Sequence, residues 1–188
     1  MDEARIRGLL ERADVRGAAS EVLRSFGPKI LGYQRAVLRD EDDAADAFSI
    51  FAETLWKSLP GFRWESSLRT WTFRIAWTAA QRVRDDAFRR HGRRLLTGEA
   101  SRLAEEIRTQ SGLRREVQAD RLATLRASLS PEEQTLLVLR IEQELSWDDI
   151  ALVLSGDGPP VQATALRKRF ERLKDRLATM AREQGLLD

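Results

Sequence analysis

The sequence predicts an all-α fold of two small helical domains joined by a flexible linker, the C-terminal one a helix-turn-helix. Three observations predict it. Apolar residues recur at spacings of three and four, with no sustained apolar/polar alternation. From Arg89 to about Asp120 the apolar density drops, and Gly92, Gly98 and Gly112 interrupt the pattern. Beyond that gap come a capped helix, a short helix, a Gly/Pro break and a long basic helix. At 188 residues the chain has room for two small domains, and its 42% hydrophobic content supplies enough apolar surface for cores. That composition argues against a wholly disordered chain.

The elements follow in order. Ala18 to Val37 and Asp43 to Leu59 read as two helices, and the acidic run Asp40 to Asp43 between them favours a helix start. Pro60-Gly61 ends the second. Phe62 to Ser67 is a short loop, and Ser67 is placed to cap a long helix from about Leu68 to Phe88. We therefore expect an N-terminal domain over 1–90 and a linker over 91–121 that carries a transient helix near Glu99 to Thr109. A C-terminal domain is expected over 122–188. In that domain Ser130-Pro131-Glu132-Glu133 combines an N-cap, a first-position proline and an acidic first turn. Ser146-Trp147-Asp148-Asp149 repeats the device without the proline, and Gly156-Asp157-Gly158-Pro159-Pro160 breaks the chain before a last helix from about Thr164 to Arg182.

Inventory removes several chemistries. With no cysteine, disulfides, thiol nucleophiles, thiolate zinc sites and iron-sulfur clusters are excluded, and the single histidine, His91, excludes a multi-histidine metal site. No catalytic residues, metal ligands or cofactors are assigned, since neither a convergent acid/base pair nor a phosphate-cradling glycine loop appears. No apolar run reaches the length of a membrane span, and the start Met-Asp-Glu-Ala-Arg lacks the apolar core of a signal peptide, so a cytoplasmic protein without direct membrane contact is expected.

The formal charge is only +2, but its distribution is uneven. Arg126 to Asp157 nets −5 and Leu166 to Arg182 nets +5, a pattern that can hold phosphates on one surface and repel them from another. In the last helix Leu166, Phe170, Leu173, Leu177 and Met180 share one face, with Lys168, Arg172 and Asp175 opposite. Arg167, Lys168 and Arg169 lie in the first turns, where a recognition helix reaches base edges; Arg172, Lys174 and Arg176 suit phosphates. In the first domain Phe62, Trp64, Trp71, Phe73 and Trp77 are interleaved with Arg63, Arg69, Arg74, Arg82 and Arg84. Proteins that stack unpaired bases while tracking a phosphate backbone use that combination. Trp71 shares a face with Ile75 and reads as structural, whereas Trp64, in the loop, reads as exposed.

The arrangement resembles a bacterial sigma factor of the extracytoplasmic-function group, in the sigma-70 family of RNA polymerase subunits. Leu129-Ser130-Pro131-Glu132-Glu133-Gln134 through Leu139-Arg140, Leu145-Ser146-Trp147-Asp148-Asp149-Ile150-Ala151 and Leu166-Arg167-Lys168-Arg169-Phe170-Glu171-Arg172-Leu173 stand where that family has its L-P-x-E-x-R … L-S-x-x-E-I-A … V-x-x-R-x-x-R pattern. Asp43-Ala44-Ala45-Asp46 resembles its acidic D-A-E-D segment. Phe62 to Ala76, with Trp71 and Arg74-Ile75-Ala76, resembles its F…W-L-x-x-I-A segment.

The resemblance implies roles. Asp43, Asp46, Ser49, Ile50 and Glu53 would grip the coiled coil of the largest subunit of core polymerase, whose flap is a second contact. Arg63, Trp64, Arg74, Trp77, Thr78 and Arg82 would capture unpaired bases of the promoter −10 element. Arg167, Lys168, Arg169, Glu171, Arg172 and Lys174 would read the −35 element, the linker would thread toward the RNA exit path, and an anti-sigma factor is a further partner. Departures from the pattern are specific. Ser49-Ile50 replace a usual Gln-Glu, Thr78 stands for an Asn, Arg82 for an Asp, and the turn before the last helix is longer by about five residues, Gly156 to Pro160. A phosphate on Ser49 would restore negative charge there, against the plainer reading of an ordinary exposed serine. Two other functions fit the residues: a stand-alone helix-turn-helix regulator of duplex DNA, and a helical adaptor that binds proteins only.

Overall fold

The computed structural model describes residues 3–87, 107 and 128–183. The expected linker and the helix near Glu99 to Thr109 lie outside these apart from Ile107. All regular structure among the described residues is helical, as expected.

α1 (Glu3–Glu11), which the sequence reading did not assign, packs on α2 (Val15–Leu38) and buries Ile6. α2 begins ahead of the expected Ala18 because Asp14 is its cap, its Oδ1 accepting the Gly17 N–H at 2.8 Å. α3 (Glu41–Ser58) opens at the acidic run, where the Asp40 carboxylate accepts from the Asp43 N–H at 2.8 Å and three further acidic side chains face the helix N-terminus. A single 3₁₀ turn, Leu59–Gly61, closes it at Pro60. α4 (Leu68–Ala87) is capped twice: Ser67 Oγ accepts from the Thr70 N–H at 3.0 Å, and the Glu3 carboxylate of α1 accepts from the Leu68 N–H at 2.9 Å. Two donors otherwise orphaned at a helix start are thus satisfied, one of them by an element distant in sequence.

α5 (Pro131–Leu137) has a reciprocal capping box. Ser130 Oγ accepts from the Glu133 N–H while the Glu133 carboxylate accepts from the Ser130 N–H. It runs into a wider π-type turn, Val138–Glu142, before α6 (Trp147–Ser155), capped by Ser146. After a turn that starts at Gly156 in a left-handed conformation, φ +50°, α7 (Ala163–Glu183) runs to the end of the described chain.

Phe48, Phe51 and Phe73 among α1–α4, and Leu139, Ile150 and Phe170 among α5–α7, belong to one contiguous apolar cluster. The two helical sets meet along α4 against α6 and α2 against α5. Tyr33 of α2 is buried at that junction, edge-on to Phe73 with ring centres 5.7 Å apart, and shares a hydrogen bond with Thr135 at 3.2 Å. Burial pushes its phenol well above the ordinary value, although the Thr135 bond pulls the other way. The Arg39 guanidinium donates to the Leu129 carbonyl beside it. Ile107 rests in a notch over Gly27 and Phe48. A Cβ at Gly27 would stand 2.6 Å from the Ile107 Cδ1, so the absence of that carbon makes the notch.

Candidate nucleic-acid interface

α7 is amphipathic in the expected sense. Leu166, Phe170 and Leu173 are buried, while Arg167, Lys168, Arg169, Glu171, Arg172 and Lys174 are exposed. The cations differ in what already occupies them. Lys174 pairs with Glu171 at 2.7 Å and lies over the Phe170 ring, and Arg176 pairs with Glu133 at 2.8 Å. Arg167, Lys168 and Arg172 have no ion pair with a described residue. Burial alone would raise the Glu133 carboxyl, but Arg176, the Ser130 N–H and the charge of Arg169 outweigh it and hold the group below its ordinary value. Glu133, already bonded into the capping box, thereby anchors α7 on α5 through Arg176.

The expected single-strand surface divides in two. In the loop, Arg63 is 82% exposed. Trp64 is half-buried, a correction to its expected exposure: its ring stands 4.9 Å from Phe62, and the Arg7 guanidinium of α1 covers it at 4.5 Å. Trp64 also adopts φ +60°, a conformation costing about 1–3 kcal/mol for a non-glycine residue, which the surrounding contacts hold in place. Trp71 stacks on Phe62 at 4.6 Å, in keeping with a structural role.

On α4, Arg74, Trp77, Thr78 and Arg82 all face the end of α6 and the turn after it. The Arg74 guanidinium donates twice to the Gly156 carbonyl, at 3.0 and 2.5 Å. The Trp77 indole donates to the Leu154 carbonyl at 3.2 Å and leaves the side chain only 4% exposed. A Cβ at Gly156 would stand 3.1 Å from Thr78 Oγ1, and Arg82 lies 3.6 Å from Asp157. Residues absent from the expected site complete the contact: Thr70 donates to Asp149 at 3.0 Å, Arg69 to the Gln143 carbonyl, and Arg84 pairs with Glu132 at 3.1 Å. Two carboxylates of the −5 segment, Glu132 and Asp157, meet arginines of α4, and a third, Asp149, accepts from Thr70. Beside Trp77 the fit is incomplete, leaving a cleft of about 530 Å³ whose lining includes Leu136, Leu154, Leu166, Arg169 and Arg172.

Of the expected polymerase contacts on α3, Asp43, Asp46, Ile50 and Glu53 are partly exposed, and Glu53 pairs with Lys57. Ser49 is 5% exposed. The reading of Ser49 as an exposed serine open to phosphorylation is therefore corrected, because α3 presents that side inward.

No helix among the described residues is long and apolar enough to cross a membrane. Residues 22–94 match the Sigma-70 region 2 family. Over 173 residues the chain is 28% identical to RNA polymerase sigma factor YlaC of Bacillus subtilis (strain 168), an alignment covering 90% of this chain and 96% of that protein.

Proposed function

The chain belongs to the extracytoplasmic-function group of the sigma-70 family, and from that premise we propose that it binds core RNA polymerase and directs initiation by engaging two promoter elements. α6, its following turn and α7 act as a helix-turn-helix that sets Arg167, Lys168 and Arg169 against base edges of the −35 element, with Arg172 on phosphate. The observation that carries this reading is the row of exposed α7 cations without a described ion pair. Lys174 and Arg176, by contrast, are already paired, with Glu171 and Glu133.

The loop Phe62–Ser67 and α4 take unpaired −10 bases. Melting costs about 1.4 kcal/mol per base-pair step, and stacking on aromatic rings returns about 1–3 kcal/mol per base, so a base stacked on Trp64, or on Trp77 once the end of α6 has moved off it, offsets roughly one step of melting. Core polymerase is held through Asp43, Asp46, Ile50 and Glu53 on α3. Family membership assigns nucleotidyl transfer to the polymerase and no covalent step to this chain. An anti-sigma factor remains the regulatory partner that the family suggests.

The test is reconstitution. The purified chain should co-migrate with core polymerase at low salt and support transcription from a cognate promoter; absence of polymerase binding rejects the reading. A second reading, a regulator of duplex DNA acting alone, is favoured by one observation: α7 is open while the α4 face is covered. That protein would shift duplex sites without polymerase and show no preference for unpaired −10 DNA.

A further inference from the structure

We propose that Arg7 of α1 is a nucleic-acid contact: its guanidinium keeps a face of the Trp64 ring until a base stacks there, then moves to the backbone phosphate beside that base. The inference rests on the assignment of the loop Phe62–Ser67 to unpaired DNA made above. It adds to that loop a helix lying outside residues 22–94, which match the family.

Three observations meet at the ring. The Arg7 guanidinium lies over Trp64, 4.5 Å from the ring centroid, and a planar guanidinium is the one cation that both stacks on an aromatic face and donates as a fork to phosphate. One side chain can therefore serve the ring first and the strand afterwards. Arg7 is also exposed and has no ion pair with a described residue, whereas Arg5 of the same helix pairs with Glu21 at 3.7 Å and Arg63 of the loop with Glu65 at 3.9 Å. Its charge is the one left over at this ring. An exposed cation–π contact is weak, so a base that takes the face under Arg7 displaces it at little cost. Finally, α1 is fixed against the loop's far end: Ile6 is fully buried, and the Glu3 carboxylate accepts from the Leu68 N–H at 2.9 Å where the loop enters α4. The cation is thus held beside a ring that itself sits at φ +60°, and little order remains to be created when the strand arrives.

The experiment measures binding of fluorescent random-sequence single-stranded DNA to the full chain over a range of salt concentrations, with unlabelled duplex in excess to occupy α7. Arg7→Ala and Arg7→Gln should each weaken capture about fivefold and flatten the plot of log affinity against log salt by about 0.7, the share of one single-strand phosphate. Arg7→Lys, which keeps the charge, should keep the slope. A Gln variant that binds like the native chain overturns the proposal, as does tighter binding by either uncharged variant, which would make Arg7 a mere competitor of the base. Weaker binding with the native slope overturns the phosphate contact and leaves Arg7 as a prop for Trp64. Trp64→Ala separates the inference from its premise. If that variant captures single strands as the native chain does, the assignment of the loop fails and Arg7 falls with it; if it binds weakly while Arg7→Gln does not, the loop stands and Arg7 alone is rejected.

Discussion

Arg167 and Lys174 lie two turns apart on α7, yet their surroundings predict different consequences for their loss. Arg167 is exposed with no described ion pair, and an arginine fork is suited to the O6 and N7 acceptors of guanine. Arg167→Ala should cost about 1–3 kcal/mol on the cognate −35 duplex and little on scrambled DNA, measured by competition binding at fixed salt. Lys174 already spends its charge on Glu171 at 2.7 Å, so Lys174→Ala should leave the salt dependence of binding nearly unchanged. Arg172→Ala should reduce that slope by about one counterion. Equal slopes for the two variants would show that the pairing with Glu171 does not persist near DNA. The outward direction of these side chains was legible in the sequence because helical periodicity alone decides it. The burial of Ser49 was not, since an isolated serine carries no periodic signal that tells which neighbour will cover it.

At the level of elements, starts were legible and partners were not. Ser67, Ser130 and Ser146 cap where their spacing places them, because a cap is decided within four residues of sequence, while Asp40 caps α3 ahead of the start expected at Asp43. Ser130→Ala removes one arm of the capping box and should lower stability by about 1 kcal/mol, read as a small downward shift of the thermal midpoint. α1 escaped notice because it is short and its worth lies in what it touches. Ile6 is fully buried, Glu3 caps α4, and Arg7 covers Trp64. Ile6→Ala should therefore cost about 2–5 kcal/mol, the range for truncating a core aliphatic, against about 1 kcal/mol for Glu3→Ala. Chemical denaturation followed by tryptophan fluorescence would separate them. Comparable losses would mean that α1 is held by its polar contacts and not by its apolar side. The turn Val138–Glu142 was equally illegible, since nothing in Val-Leu-Arg-Ile-Glu distinguishes a widened turn from an α-helical one.

For the whole molecule, the charge asymmetry was visible before its geometry was. The −5 segment reads in isolation as a surface that repels phosphate; folded, part of it lies against Arg82, Arg84 and Thr70 of α4. No local pattern encodes that choice, because Arg74 bonds to a backbone carbonyl, a group every residue offers. The joint nevertheless has a titratable member with a resolved direction. Burial would raise the Glu132 carboxyl, but its own backbone N–H, the Arg84 guanidinium and Ser130 together hold it below the ordinary 4.5. Of these only Arg84 lies across the joint; its share of the lowering favours docking at pH values above the ordinary carboxyl value, and that contribution is lost as pH falls through the lowered one. The docked arrangement should thus be steady from neutrality down to the ordinary carboxyl range and loosen only below it. Small-angle scattering across that range should show the radius of gyration rising on the acid side. Glu132→Gln, which cannot ionise, should be looser than the native chain at neutral pH and expand less on acidification. A native chain that expands on acidification no more than the Gln variant would show that the Arg84–Glu132 pair does not hold the two helical sets together.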